Sequence, residues 1–457
     1  MSLVCGGFAG QAAATAVGLG LPNLPIAVVP GHPGAQSMEE LRENILAVTA
    51  DAVVRALTQT PATAAETAEP GTGVVIFAGD FDEVNRHFYA CEFSDGLPIV
   101  PPTRERIEAF LAFTDEPADR LLGVLLPDNR EATVWSVAVN GVMAGCRPEY
   151  MPILVGLVEA MADPVFGVEH CGNTPGGETL IILNGPIAKD LGFNCTQGVL
   201  RDGFLPNTSV GRFWRLYLRN VAGFLPHKTD KATFGNTWRV VLAENEDVLH
   251  RIAWEPTGVE MGFAAGDNGV TIARYTGGSV LASVSGSTPE EILPYIADSL
   301  LKQAMWTVQF SVGVGMGSLR PLVLLSPILA ETIAKAGWTK RDVKEYLFRH
   351  TRMPAWEFER YLADWSPRRT WTLDGEVRRG HIPALYAESE DLNRLVPIVW
   401  KAEDLMIAVA GDPGRNNAYV FAHNGVLGYP VGKRIRLPRE WDLRLAARRE
   451  ESDDLRK

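Results

Sequence analysis

Leu180-Ile181-Ile182-Leu183-Asn184-Gly185-Pro186 decides how this chain is read. Four successive aliphatic residues without polar alternation fit a strand buried on both faces, as in the centre of an α/β sheet. Asn-Gly-Pro then stops the strand at its carboxyl end, where such sheets present loops to ligands. The same pattern recurs downstream. Val240–Leu242 ends at Glu244-Asn245-Glu246. Leu322–Leu325 runs through Ser326-Pro327, an N-cap and N1 pair, into a helix ending near Gly337. Leu405–Ala410 runs into Gly411-Asp412-Pro413-Gly414-Arg415-Asn416-Asn417. Ile272–Tyr275 and Val280–Val284 suggest a hairpin across Thr276-Gly277-Gly278.

Helical segments fill the intervals. Glu83–Cys91 is one, and Thr103 caps another. Val134–Met143 and Met151–Met161 are two helices broken at Cys146-Arg147-Pro148, and Thr339 opens one that runs to about His350. Residues 74–457 therefore read as one large mixed α/β region with a charged tail, and no repeat of fixed period is visible. Residues 1–60 are a smaller helix–strand–helix piece. Leu24–Val29 is its strand, and Ser37 with Glu40 forms a capping box on a helix reaching about Leu57. This piece is too short to bury a robust core alone. It must dock on the rest of the chain, on a second copy or on a further segment, so a homo-oligomer is expected. Residues 61–73 (PATAAETAEPGTG) read as a linker.

The whole is an α/β protein of 457 residues, 46% hydrophobic and 21% charged, with net charge −12. That acidity argues against nucleic-acid binding, which needs clustered Lys and Arg. With no apolar run of about 18 residues, no membrane span is expected. The start lacks the basic and apolar regions of a signal peptide. Five cysteines without a C-x-x-C pair fit a reducing cytoplasm.

Several constellations can carry chemistry. Cys146-Arg147-Pro148-Glu149-Tyr150 puts a thiol, a guanidinium and a carboxylate at a helix break. An arginine and a helix start beside Cys146 would depress its pKa. Glu149 is placed for acid–base work, with Arg147 and Tyr150 as ligand contacts. Glu244 and Glu246, spaced i and i+2, can share a proton or a cation, with Asn245 between them. Asn184 follows its strand into a loop, and Asn194-Cys195-Thr196-Gln197-Gly198 comes soon after. Asn207-Thr208-Ser209 followed by Arg212 suits an anion at a helix start. Arg415 and Asn416 lie in a turn resembling an anion nest. Asp95, in Asp95-Gly96-Leu97-Pro98-Ile99-Val100-Pro101-Pro102-Thr103, is a further acid–base or binding group. Adjacent His170 and Cys171 have no partner spacing for a metal, so no metal site is assigned. No dinucleotide, Walker or G-x-S-x-G pattern occurs, and the cofactor is left unknown.

Two resemblances add to these readings. Residues 1–60, through Gly20-Leu21-Pro22-Asn23-Leu24-Pro25-Ile26-Ala27-Val28-Val29-Pro30, resemble the later part of the UGSC family. That family is named for a Gly-Ser-Cys motif carrying selenocysteine or cysteine and is similar to the selenoprotein component of glycine and betaine reductases. Its redox motif lies upstream of this strand, and Val4-Cys5-Gly6-Gly7 is not that motif. Either the start is shortened or this copy has lost the chemistry. Residues 80–430 resemble a poorly characterised bacterial family often found fused or adjacent to UGSC domains. The matching strings are DGLPIVPPT (95–103), VNGVMAGCRPEYMP (139–152), LNGPI (183–187), AENE (243–246), AGW (336–338) and AVAGDPG (408–414).

Three functions are consistent with these readings. The first is an enzyme acting on a small polar or anionic substrate, by thiol-assisted cleavage or reduction of a carbon–heteroatom bond. The second is a metal-assisted hydrolase or lyase using Glu149, Glu244, Glu246 and His170. The third is a non-catalytic scaffold subunit for a UGSC-type protein partner.

Overall fold

In the computed structural model, residues 1–59, 71–236, 238, 240–365, 371–423 and 428–454 are described; most of the linker reading at 61–73 lies outside them. The protein is a mixed α/β fold. Residues 1–59 form a two-stranded parallel sheet of β1 (Ser2–Cys5) and β2 (Ile26–Val29). The helix Ala9–Gly18 connects the strands, and the helices Met38–Asn44 and Ala50–Thr58 follow, the first closed by the Ser37–Glu40 capping box. This unit docks on the rest of the chain. A Cβ added at Gly18 would stand 2.3 Å from the Pro127 carbonyl oxygen, so only glycine lets the helix approach that closely. The Lys231 ammonium lies 6.0 Å from the Phe8 ring centroid.

The larger region begins with the helices Phe81–Ala90 and Arg104–Leu111, followed by the hairpin β3 (Leu121–Leu125) and β4 (Arg130–Thr133). The main sheet contains β5 (Glu178–Asn184), β6 (Val241–Ala243), β7 (Gly269–Leu281) and β8 (Leu322–Leu325). A short pair, β9 (Arg352–Pro354) and β10 (Leu395–Pro397), stands apart from it. The sheet is completed by β11 (Met406–Val409), β12 (Ala418–His423) and β13 (Val431–Arg434). Its order is β11-β8-β12-β7-β5-β6, with β13 also on β7.

That order is a palindrome with a physical meaning. β5 lies parallel to β6 and antiparallel to β7; β8 lies parallel to β11 and antiparallel to β12. Even the register repeats. Leu183 faces Ala243 and Val270, while Leu325 faces Val409 and Ala418. β7 and β12 pair antiparallel, which gives the halves an approximate two-fold relation. Spacing along the chain differs from element to element, so this symmetry leaves no fixed sequence period.

Alternation along the strands divides the core into three layers. Leu180, Ile182, Leu242, Ala273, Tyr275, Leu322, Leu324, Met406, Ala408 and Phe421, drawn from six strands, form one inner cluster. Residues of opposite parity pack outward. Ile181, Leu183 and Val241 meet the helices Val134–Met143, Met151–Met161 and Leu205–Tyr217. Val323, Leu325 and Ile407 meet the helices Pro289–Ala304, Pro327–Lys335 and Lys340–His350. The sheet rolls far enough for its two edge strands to meet, the Asn245 N–H donating to the Val409 carbonyl at 2.8 Å.

The hairpin expected at 272–284 is absent. β7 is one long strand, and neither Gly277 nor Gly278 has a positive φ. Gly278 serves close approach instead of turning. A Cβ there would fall 2.3 Å from the Tyr419 ring and 2.9 Å from the Val420 carbonyl. Removing inner packing tests this core: Leu324→Ala should destabilise the protein by about 2–5 kcal/mol in urea unfolding, through lost burial and the cavity left behind.

Candidate functional site

The end of β6 builds the best-defined polar cluster. The side chain of Glu244 continues the inward face of Leu242 and is fully buried. Oε2 accepts from Asn184 Nδ2 at 2.8 Å and from the Thr257 N–H at 2.7 Å. Oε1 accepts from the Val409 N–H at 3.3 Å and has Lys340 Nζ at 3.7 Å. Asn184 is held by the Gly258 N–H on its Oδ1 (3.0 Å). Lys340 is itself buried and donates to the Glu255 carbonyl at 2.6 Å. Glu244 is thus a saturated structural carboxylate.

Glu246 differs. It is half-buried, and Asn184 Nδ2 (3.0 Å) and the Gly185 N–H (2.8 Å) both reach its Oε1. Asn245, between them, caps the following short helix by accepting the Val248 N–H at 3.2 Å. The structure therefore gathers Asn184, Glu244, Asn245 and Glu246 from segments about sixty residues apart.

The neighbouring loops close in on this end. The Gly411 N–H donates to the Cys195 carbonyl at 3.0 Å. Asn207 clamps the Asn194 segment to β6, accepting the Asn194 N–H at 2.9 Å and donating to the Asn194 and Val241 carbonyls. Asn416 donates its amide to the Val284 carbonyl at 2.8 Å, so it fixes its own loop. Arg415 is exposed and makes no ion pair among the described residues.

Asp95 and Arg212 lie elsewhere and bind each other. Arg212 donates to both Asp95 oxygens, at 3.1 and 2.9 Å, and to the Pro98 carbonyl at 2.9 Å. This bidentate pair pins the DGLPIVPPT segment to the helix Leu205–Tyr217. That helix begins at Leu205, so Asn207, Thr208 and Ser209 are already inside it and do not cap it. Arg215 is likewise engaged, with Glu178 at 3.5 Å and Asp230 at 3.4 Å.

Cys146 is in the outer helical layer, not the loop cluster. Burial pushes its thiol up to about 12, outweighing the Ser209 hydroxyl and the Arg212 guanidinium. The expected thiolate is therefore reversed, because desolvation exceeds the nearby positive charge. Tyr150 is buried against Phe193, with ring centroids 6.0 Å apart, and burial raises its pKa too. Glu149 is bracketed by Arg147 at 3.9 Å and Arg448 at 3.7 Å, and its Oε2 accepts no hydrogen bond among the described residues. Cys171 has Arg274 Nη2 at 3.1 Å, yet burial still raises its pKa. Burial lowers the pKa of His170, favouring the neutral ring. Among the described residues, no three His, Cys, Asp or Glu side chains group as a metal requires.

Sequence reasoning missed Lys340, Thr257 and Gly258. Nothing in Thr339-Lys340 distinguishes it from an ordinary helix start. Compared with known proteins, the chain matches no family model, no curated protein and no solved structure.

Two measurements test this geometry. Glu244→Gln or Lys340→Met, each breaking the buried pair, should cost about 3–5 kcal/mol in denaturant unfolding, and the double variant less than the sum. In native protein at mildly alkaline pH, peptide mapping after alkylation should find exposed Cys91 labelled first. Cys146 and Cys171 should label only on unfolding.

Proposed function

We propose that this protein is an enzyme acting on a small polar or anionic substrate where the two edge strands meet, with Glu246 as its acid–base group. One observation supports this reading above others. Both donors that reach Glu246 bind the same oxygen, and Oε2 has no partner among the described residues. A carboxylate oriented through one oxygen and open at the other suits proton transfer with a bound molecule. The loop that carries Arg415 joins this end through Gly411, and its guanidinium, which makes no ion pair among the described residues, suits a carboxylate or phosphate.

The reaction favoured is acid–base cleavage of a carbon–heteroatom bond. Glu246 acts as base toward the substrate or as acid toward the departing atom. The thiol-assisted route has less support, because Cys146 is buried and protonated. The metal-assisted route has less support as well, because among the described residues no third His, Cys, Asp or Glu joins Glu244 and Glu246 in a group that could hold a metal.

The test uses the purified full chain and a panel of small hydroxy-, amino- and thio-carboxylates. At least one should raise the melting temperature and be turned over. Arg415→Ala should weaken its binding. Glu246→Gln should keep binding and folding but lower turnover by about 100-fold or more. Cys146→Ser should retain turnover. Wild-type rates from Glu246→Gln would overturn the proposal.

A further inference from the structure

The sheet of residues 1–59 stops after two strands, although parallel sheets are stable when both faces and neighbours are covered. The two edges of this sheet differ. On the β2 side, the Thr49 hydroxyl donates to the Val28 carbonyl at 3.0 Å and the Gln36 amide to the Pro30 carbonyl at 2.7 Å. On the outer side of β1, no strand pairs among the described residues. The surfaces beside that edge are apolar. Leu3 is 54% exposed, and Val17, Leu19 and Leu21 are all more than half exposed. Val4, Phe8, Ala12, Ala16, Leu19 and Leu24 contribute to a cleft of about 380 Å³ between β1 and the helix Ala9–Gly18.

Charge selects the occupant. Residues 1–36 contain no Asp, Glu, Lys or Arg, within a chain of net charge −12. Copies of so acidic a chain repel one another on average, and residues 1–36 add no side-chain charge to that repulsion. A strand edge is also self-complementary about a two-fold axis perpendicular to the sheet, since antiparallel β1 strands can exchange backbone hydrogen bonds.

We propose that the β1 edge is the contact surface of a homodimer, in which β1 of one copy pairs antiparallel with β1 of a second. The result is a continuous four-stranded sheet, β2-β1-β1-β2. The two Ala9–Gly18 helices lie on the same face, and their apolar clefts close against each other. Leu3, Val17, Leu19 and Leu21 become buried. This inference does not depend on the function proposed for Glu246, which lies in the other part of the chain.

Sedimentation velocity and light scattering on the full chain at micromolar concentration test it. The wild type should have twice the chain mass. Leu3→Arg combined with Leu19→Arg should give a monomer with unchanged circular dichroism, because both side chains are exposed in the single chain. Leu392→Arg, at an exposed apolar residue outside this face, should remain a dimer. In hydrogen exchange, the β1 amides that face away from β2 should be protected in the wild type and exchange rapidly in the Leu3→Arg/Leu19→Arg protein, whereas the Ser2 amide, bound to the Pro25 carbonyl, reports the intact single chain in both. A monomeric wild type, or a double variant that stays dimeric with protected β1 amides, would overturn the proposal. A monomer that captures an added UGSC-type protein through this edge would likewise overturn it and assign the face to that partner.

Discussion

A buried carboxylate ties together the two halves of the main sheet where its edge strands meet. Glu244 takes donors from both halves: Asn184 and Thr257 from the first, Val409 and Lys340 from the second. Taking an ionised carboxylate out of water costs several kcal/mol unless its oxygens are satisfied. The compensation exists only when the edge strands have met, so closure of the sheet and burial of Glu244 are mutually dependent. The same network positions Glu246, because Asn184 bridges the two carboxylates through one amide nitrogen. Structural anchor and candidate acid–base group are thus adjacent but chemically distinct.

The approximate two-fold relation explains why the two ends differ in role. Register equates Ala243 with Val409, hence Glu244 with Ala410. Past strands β5 and β8 the chain runs through a helix to a glycine with left-handed φ in each half, Gly192 at 71° and Gly337 at 85°. The buried Glu244 of one setting therefore corresponds to the small neutral Ala410 in the other. The fold needs the buried carboxylate once. Its counterpart is released from that duty, and there the short Gly411–Asn417 loop carries Arg415, which makes no ion pair among the described residues.

The strand cores and most helix starts were legible. Leu180–Leu183 and Leu322–Leu325 are short aliphatic runs that declare themselves as buried strands, and Ser37, Thr103 and Thr339 cap helices as their local spacing indicates. The polar loops at strand ends were legible too, and Asn184 and Glu246 do converge. β12 and the continuity of β7 were not. Tyr419 and Phe421 stand in a stretch whose partner is distant, and Gly277-Gly278 carries the local signature of a turn. Cys146 illustrates another limit. Its sequence neighbours suggest an activated thiol, while its spatial neighbours are a packed helical layer.

What the sequence alone determined is local: hydrophobic period, caps, breaks and the acidic, spanless character of the chain. These depend on residues a few positions apart. Tertiary structure alone decided which charges are spent on each other. Asp95 with Arg212, Glu178 with Arg215 and Glu244 with Lys340 are satisfied across 37 to 117 positions of sequence. Whether a carboxylate or guanidinium is free for a ligand depends on desolvation and on partners brought by the fold, which no local pattern encodes.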